Sequence, residues 1–167
     1  SFIGQLFGTA GYKVVFVDTD RLLTALINER KCYRVVAKSA REETKVVRNV
    51  SAIDAADVPA VGEAVTTDGI VAVCVGMTAV EKVVPMIADG LKLRHDRFPG
   101  QPLDIIIAEN MISGRDFMEE NLKKFLPPEF PLNEMTGLVE TSIGKMVPIM
   151  SQSDLEKDPL QVFAEPY

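Results

Sequence analysis

Asp18 follows the apolar run Val14-Val15-Phe16-Val17 directly. A carboxylate at the end of a buried strand can accept hydrogen bonds from the hydroxyls of an adenosine ribose, and it repels a 2′-phosphate there. The same position suits a plain cap for the helix that follows, although Asp20 competes for that work. Val75 and Gly76 end a second apolar run, Ile70 to Val75. A residue without a side chain lets backbone approach a flat or charged ligand, and it also makes an ordinary strand-to-helix turn. Glu109 and Asn110 follow a third strand, Leu103 to Ala108, with its apolar run Ile105 to Ala108. An amide can donate to an oxygen that gains negative charge during carbonyl/alcohol interconversion, or it can simply form a turn. Glu109 reads as a general base or as an acid at a helix N-terminus.

Other candidates are weaker. His95 sits among Arg94, Asp96 and Arg97 and reads as a solvated histidine in a polar loop from Arg94 to Pro102. Cys32 and Cys74 are the two cysteines, with no metal-ligand spacing around them, so no metal is expected. Cys74 lies inside an apolar run and reads as a buried free thiol. Glu119-Glu120 with Lys123-Lys124 reads as an exposed helix face with i,i+4 pairs.

The elements that must position these groups alternate between strands and helices. Phe2, Ile3, Leu6 and Phe7 share one helical face over 1–11, and Gly4 and Gly8 lie one turn apart, which suits close packing on a sheet. A strand over 12–17 leads to a helix over 21–30. Segments 33–37 and 44–50 are β-branched and split by a charged turn, the pattern of a hairpin, with Ala52-Ile53 as an extension of its second strand. A short helix is expected over 58–65 and an amphipathic one over 78–93, kinked or started late by Pro85. A helix over 114–125 stops at Pro127-Pro128. Residues 138–147 read as extended, 151–158 as a polar link, and 160–164 as the start of another strand. Continuous apolar strands between helices predict an α/β fold, a doubly wound and mostly parallel sheet with an inserted hairpin. Ligands of such sheets bind beyond the carboxyl ends of the strands.

The 167 residues suit about one domain. With 47% hydrophobic and 25% charged residues the chain is of ordinary globular composition, which excludes disordered and low-complexity classes. A formal net charge of -6 argues against broad nucleic-acid binding. No apolar stretch is long enough to cross a bilayer, and Phe2 to Phe7 lacks a basic leader, so a reducing cytoplasm is the simplest expectation.

Taken together, the segments resemble the long-chain polyol dehydrogenases, the mannitol dehydrogenase family. The resemblance rests on Phe2-Ile3-Gly4-Gln5-Leu6-Phe7 leading to Val15-Phe16-Val17-Asp18, then Val73-Cys74-Val75-Gly76, Ile106-Ile107-Ala108-Glu109-Asn110-Met111 and Asp158-Pro159-Leu160-Gln161-Val162, in that order. It implies a Rossmann-type domain, 1–150, in an NAD-dependent, metal-independent oxidoreductase. The substrate implied is a small-molecule polyol or sugar phosphate, with mannitol 1-phosphate and fructose 6-phosphate as the pair interconverted. By resemblance Asp18 holds the adenosine ribose, Val75 and Gly76 border the cofactor, and Asn110 helps polarise the reacting oxygen. The family's first strand and Gly-x-Gly-x-x-Gly loop have no counterpart here, and Ser1 falls just after where that loop belongs. The family's catalytic lysine belongs to a later helical domain, toward which 151–167 lead; Lys145 is not that lysine. Where relatives often carry Val-Asp-Arg, this chain has Ile143-Gly144-Lys145, which leaves the acid's role unfilled. A fragment is therefore expected, inactive as a dehydrogenase by itself. Two other readings stay open: a methyltransferase that holds the ribose of S-adenosylmethionine with an acid after its second strand, and a non-catalytic module that binds a partner through the hairpin.

Overall fold

A computed structural model describes residues 2–37, 43–144 and 150–165. In chain order the elements are α1 (Phe2–Thr9), β1 (Val14–Asp18), α2 (Arg21–Arg30), β2 (Cys32–Ala37), β3 (Glu43–Arg48), β4 (Val50–Asp54), α3 (Val58–Thr67), β5 (Ile70–Val73), α4 (Met77–Arg97), β6 (Leu103–Ile107), α5 (Gly114–Lys123), α6 (Leu132–Met135), β7 (Thr136–Glu140), α7 (Gln152–Lys157) and β8 (Gln161–Ala164). They group into two units, Ser1–Asp57 with Gly144–Tyr167, and Val58–Ile143.

In the first unit β1 pairs with β4 in parallel, and β2 lies between antiparallel β3 and parallel β8. The expected hairpin is β2–β3; its turn, 38–42, lies outside the described residues. Ala52-Ile53 does not extend that hairpin. Asn49 takes a positive φ of 60°, and the chain breaks there into β4, which leaves the hairpin to pair with β1. The segment read as a polar link is partly helical, because Ser151 caps α7 by accepting the Asp154 N–H. Ile27, Tyr33, Val35, Val47, Val50, Ala52, Leu160 and Ala164 make the core. The two α1 glycines are contact surfaces, as their spacing predicts: a Cβ on Gly4 would fall 2.7 Å from the Phe16 ring, and one on Gly8 would overlap Val47.

Asp158 closes this unit as the C-cap of α7. Its buried carboxylate accepts Arg30 Nη1 at 2.7 Å through Oδ1 and Arg34 Nη2 at 2.5 Å through Oδ2, and Oδ1 also accepts the Leu160 N–H at 3.1 Å. Burial pushes the carboxyl up, but the Arg34 hydrogen bonds, the Leu160 N–H and Arg30 outweigh it and hold the group below its ordinary range. A depressed folded pKa adds stability that is complete above the unfolded value, about 3.9, and is lost as pH falls through the folded one. Asp158→Asn is therefore expected to cost about 1–3 kcal/mol at neutral pH. The gap from the parent should narrow below about pH 4. Urea melts across pH check this; a gap constant down to about pH 2 contradicts it.

In the second unit β6 lies between β5 and β7, and all three run parallel. Leu103, Ile105 and Ile107 point into a core closed by α4 and α5 through Val80, Val84, Leu91, Met118 and Leu122, all fully buried. Four of the five described strand pairings are thus parallel, as the continuous apolar runs predict. Pro85 does not delay α4, which begins at Met77 and runs through it. The helix also takes in the first part of the expected polar loop, Arg94 to Arg97, and leaves 98–102 as the loop. His95 is therefore not a solvated loop residue. Its ring is half-buried, edge-on to Phe130 at 5.4 Å, and its Nδ1 is shielded with no hydrogen-bond partner among the described residues. No described helix is long and apolar enough to cross a membrane.

Candidate functional site

The carboxyl ends of β5, β6 and β7 fall on one edge of their sheet because parallel register brings Val73 beside Ile107 and Ile107 beside Glu140. Three connections leave that edge, and two side chains tie them together. Glu109 is buried, and its Oε1 accepts the Gly76 N–H at 2.7 Å. Gly76 is the N-cap of α4 with φ 83° and ψ 141°, a conformation that strains residues with a Cβ, and a Cβ placed there would meet nothing within 4 Å. The acid therefore serves a helix N-terminus, but that of α4, where the helix dipole favours negative charge.

Asn110 is exposed and clamps the connection after β7. Its Nδ2 donates to the Ile143 carbonyl at 3.1 Å while its Oδ1 accepts the Ile143 N–H at 3.1 Å. Thr141 Oγ1 donates to the Ile107 carbonyl at 2.9 Å and fastens the same connection to β6. Among the described residues one Nδ2 hydrogen of Asn110 stays open, since an amide nitrogen carries two. The strand before Val75 is shorter than expected: β5 ends at Val73, so Val75 stands exposed on the rim. Cys74 is exposed too, not buried in the strand as its apolar neighbours suggest. Its thiol is nonetheless held above its ordinary range, first by desolvation and then by the Glu109 carboxylate. Met77, Ile112 and Val139 add exposed apolar surface at this edge, with Ile112 96% exposed. Sequence periodicity does not mark them, because each reads equally well as helix or strand filler.

Asp18 belongs to the other unit, at the carboxyl end of β1. Its Oδ1 accepts the Asp20 N–H at 2.9 Å. The cap of α2 is Asp20, whose Oδ1 accepts the Leu23 N–H at 3.0 Å. Asp18 Oδ2 has no hydrogen bond among the described residues. The register sets Asp54 of β4 beside it. Asp54 turns the chain in the same way, accepting the Ala56 N–H at 2.9 Å, and Arg21 Nε pairs with its second oxygen at 2.8 Å. Sequence reading passed over Asp54, although it too is an acid closing an apolar segment. Among the described residues no three His, Cys, Asp or Glu side chains gather as metal ligands.

The sequence pattern of the mannitol dehydrogenase Rossmann domain matches residues 1–167. The chain belongs to that family. Curated relatives named mannitol-1-phosphate 5-dehydrogenase agree with it along 99% of its length. The protein from Brevibacillus brevis (strain 47 / JCM 6285 / NBRC 100599) is 34% identical, and 42% of it is covered. Those from Lactococcus lactis subsp. lactis (strain IL1403) and Bacillus velezensis (strain DSM 23117 / BGSC 10A6 / LMG 26770 / FZB42) are each 32% identical, with 43% covered. The chain thus spans less than half the length of these relatives. Membership of a mannitol dehydrogenase Rossmann family implies a domain that takes a nucleotide cofactor, and it displaces the methyltransferase reading. The partner-binding reading asks for a contiguous apolar patch on the hairpin. Its outer face instead carries Arg34 and Arg48 around Val46. Lys145 lies outside the described residues.

Proposed function

We propose that this chain holds NAD for a dehydrogenase that interconverts mannitol 1-phosphate and fructose 6-phosphate. The observation that carries the reading is Asp18. Asp20 takes over the capping of α2, so Asp18 Oδ2 is left open at the end of a parallel strand. That oxygen suits a ribose hydroxyl, and its charge disfavours the 2′-phosphate of NADP. The open space at Gly76 fits backbone that borders a flat ligand. Asn110 would offer its remaining N–H to the reacting oxygen of the substrate. When bound, the nicotinamide ring supplies the hydride chemistry. The side chains named here bind and orient, and none needs a metal.

The test is a titration of the chain with NADH and NADPH, followed by fluorescence. Asp18→Ala should weaken NADH about 10–100-fold, the worth of a hydrogen bond to a charged acceptor. It should also erase the preference for NADH over NADPH. Unchanged NADH affinity together with an unchanged NADH/NADPH ratio would sink the assignment.

A further inference from the structure

We propose that the first unit carries an anion site, a cleft between Arg30, Arg34 and Arg48 that takes a phosphate-class dianion. It goes beyond the cofactor reading and uses none of its residues. The cleft has a volume of about 320 Å³, opens on the Arg34–Arg48 side of the β2–β3 hairpin and reaches Tyr33 and Leu160 of the core. The antiparallel register explains its lining. Cys32 pairs with Arg48 and Arg34 with Val46, so these four side chains share one face, while Tyr33, Val35 and Val47 face the core. Arg30 ends α2 and reaches the same cleft.

Buried Asp158 is the anchor. It holds Arg30 through Nη1 and Arg34 through Nε and Nη2. That leaves Nε and Nη2 of Arg30 and Nη1 of Arg34 as donors. Arg48 has no side-chain hydrogen bond or ion pair among the described residues, so its whole guanidinium is available. Three guanidinium groups against one carboxylate leave an excess of two positive charges in the cleft, on a chain whose net charge is -6. An excess of two matches a dianion. The planar forks suit the oxygens of phosphate, and the apolar flanks Val46 and Leu160 strengthen charge-assisted bonds by excluding water. Inorganic phosphate and the phosphate of a sugar phosphate present the same chemistry.

The 167-residue chain is titrated with inorganic phosphate, with fructose 6-phosphate and with chloride at matched ionic strength, following the arginine Nε–H resonances. Saturable shifts at Arg30, Arg34 and Arg48 are expected with both phosphates and not with chloride. Tighter binding of fructose 6-phosphate identifies a sugar phosphate as the ligand, and equal binding identifies free phosphate. Arg48→Ala should weaken either by about tenfold or more. Arg48→Lys should restore part of the loss, since an ammonium keeps the charge without the fork. Asp18→Ala should leave the titration unchanged, which separates this site from the cofactor reading. Shifts equal to those with chloride, or an Arg48→Ala titration that overlays the parent, would overturn the proposal.

Discussion

Replacing Arg94 with methionine is expected to destabilise the Val58–Ile143 unit by about 3–5 kcal/mol. Arg94 is only 6% exposed and has no carboxylate partner among the described residues. Its charge rests on four carbonyl oxygens. Nη1 donates to Thr66 at 2.9 Å and Asp68 at 2.7 Å, Nε to Gln101 at 2.9 Å, and Nη2 to Pro102 at 3.2 Å. Thr66 lies in the last turn of α3, whose final carbonyls lack partners within the helix. A guanidinium there also meets the negative end of the α3 dipole. Methionine fills much of the volume but strands those oxygens, at about 1–3 kcal/mol for each that water cannot reach. Arg94→Lys should recover little, because one ammonium cannot span acceptors on both sides of a planar fork. Denaturant melts of the two variants measure this. A lysine variant as stable as the parent would show that charge, and not the fork, is what matters.

Gly90→Val is expected to cost about 3 kcal/mol or more, the upper end of overpacking penalties. Gly90 sits in α4 where that helix crosses α3. A Cβ there would fall 2.5 Å from both Cβ and Cγ1 of Val65 and 3.2 Å from the Gly62 carbonyl. Thr66 Oγ1 donates to the Gly90 carbonyl at 3.2 Å, so the backbones meet with only small groups between them. The milder Gly90→Ala gains about 1 kcal/mol of helix propensity and still should destabilise, because the two helices must move apart. Val65→Ala, harmful alone through the cavity it opens, should relieve Gly90→Ala when the two are combined. Simple additivity in the double-mutant cycle would contradict this picture of the crossing.

What the sequence discloses and what it hides follows from where each residue's partners lie. Val14 to Val17 and Ile105 to Ile107 are legible as strands because each is an unbroken apolar run, although Val17 stays 41% exposed where such a run predicts cover on both faces. The spacing of Gly4 and Gly8 anticipates the close contact with Phe16 and Val47. Arg94 and His95 mislead, because four charged or polar residues in a row look like a loop. Their burial depends on carbonyls and a ring brought in from distant elements. Cys74 misleads the other way: apolar neighbours suggest an interior, yet the strand stops one residue earlier. That Asp18, Gly76 and Asn110 stand at or just past strand ends is readable. The links from Glu109 to Gly76 and from Asn110 to Ile143 are not, since each spans 33 residues.

The grip of Asn110 on Ile143 has a bearing on how readily anything can bind beside it. Both ends of the carboxamide are held by the backbone N–H and carbonyl of one residue, Ile143, so its plane and its rotamer are set before a ligand arrives. A free amide forfeits rotational freedom when it engages a guest; this one has already surrendered it within the native fold. The outstanding N–H is thus a stationary dipole, and a substrate oxygen meeting it would find the local reorganisation already done.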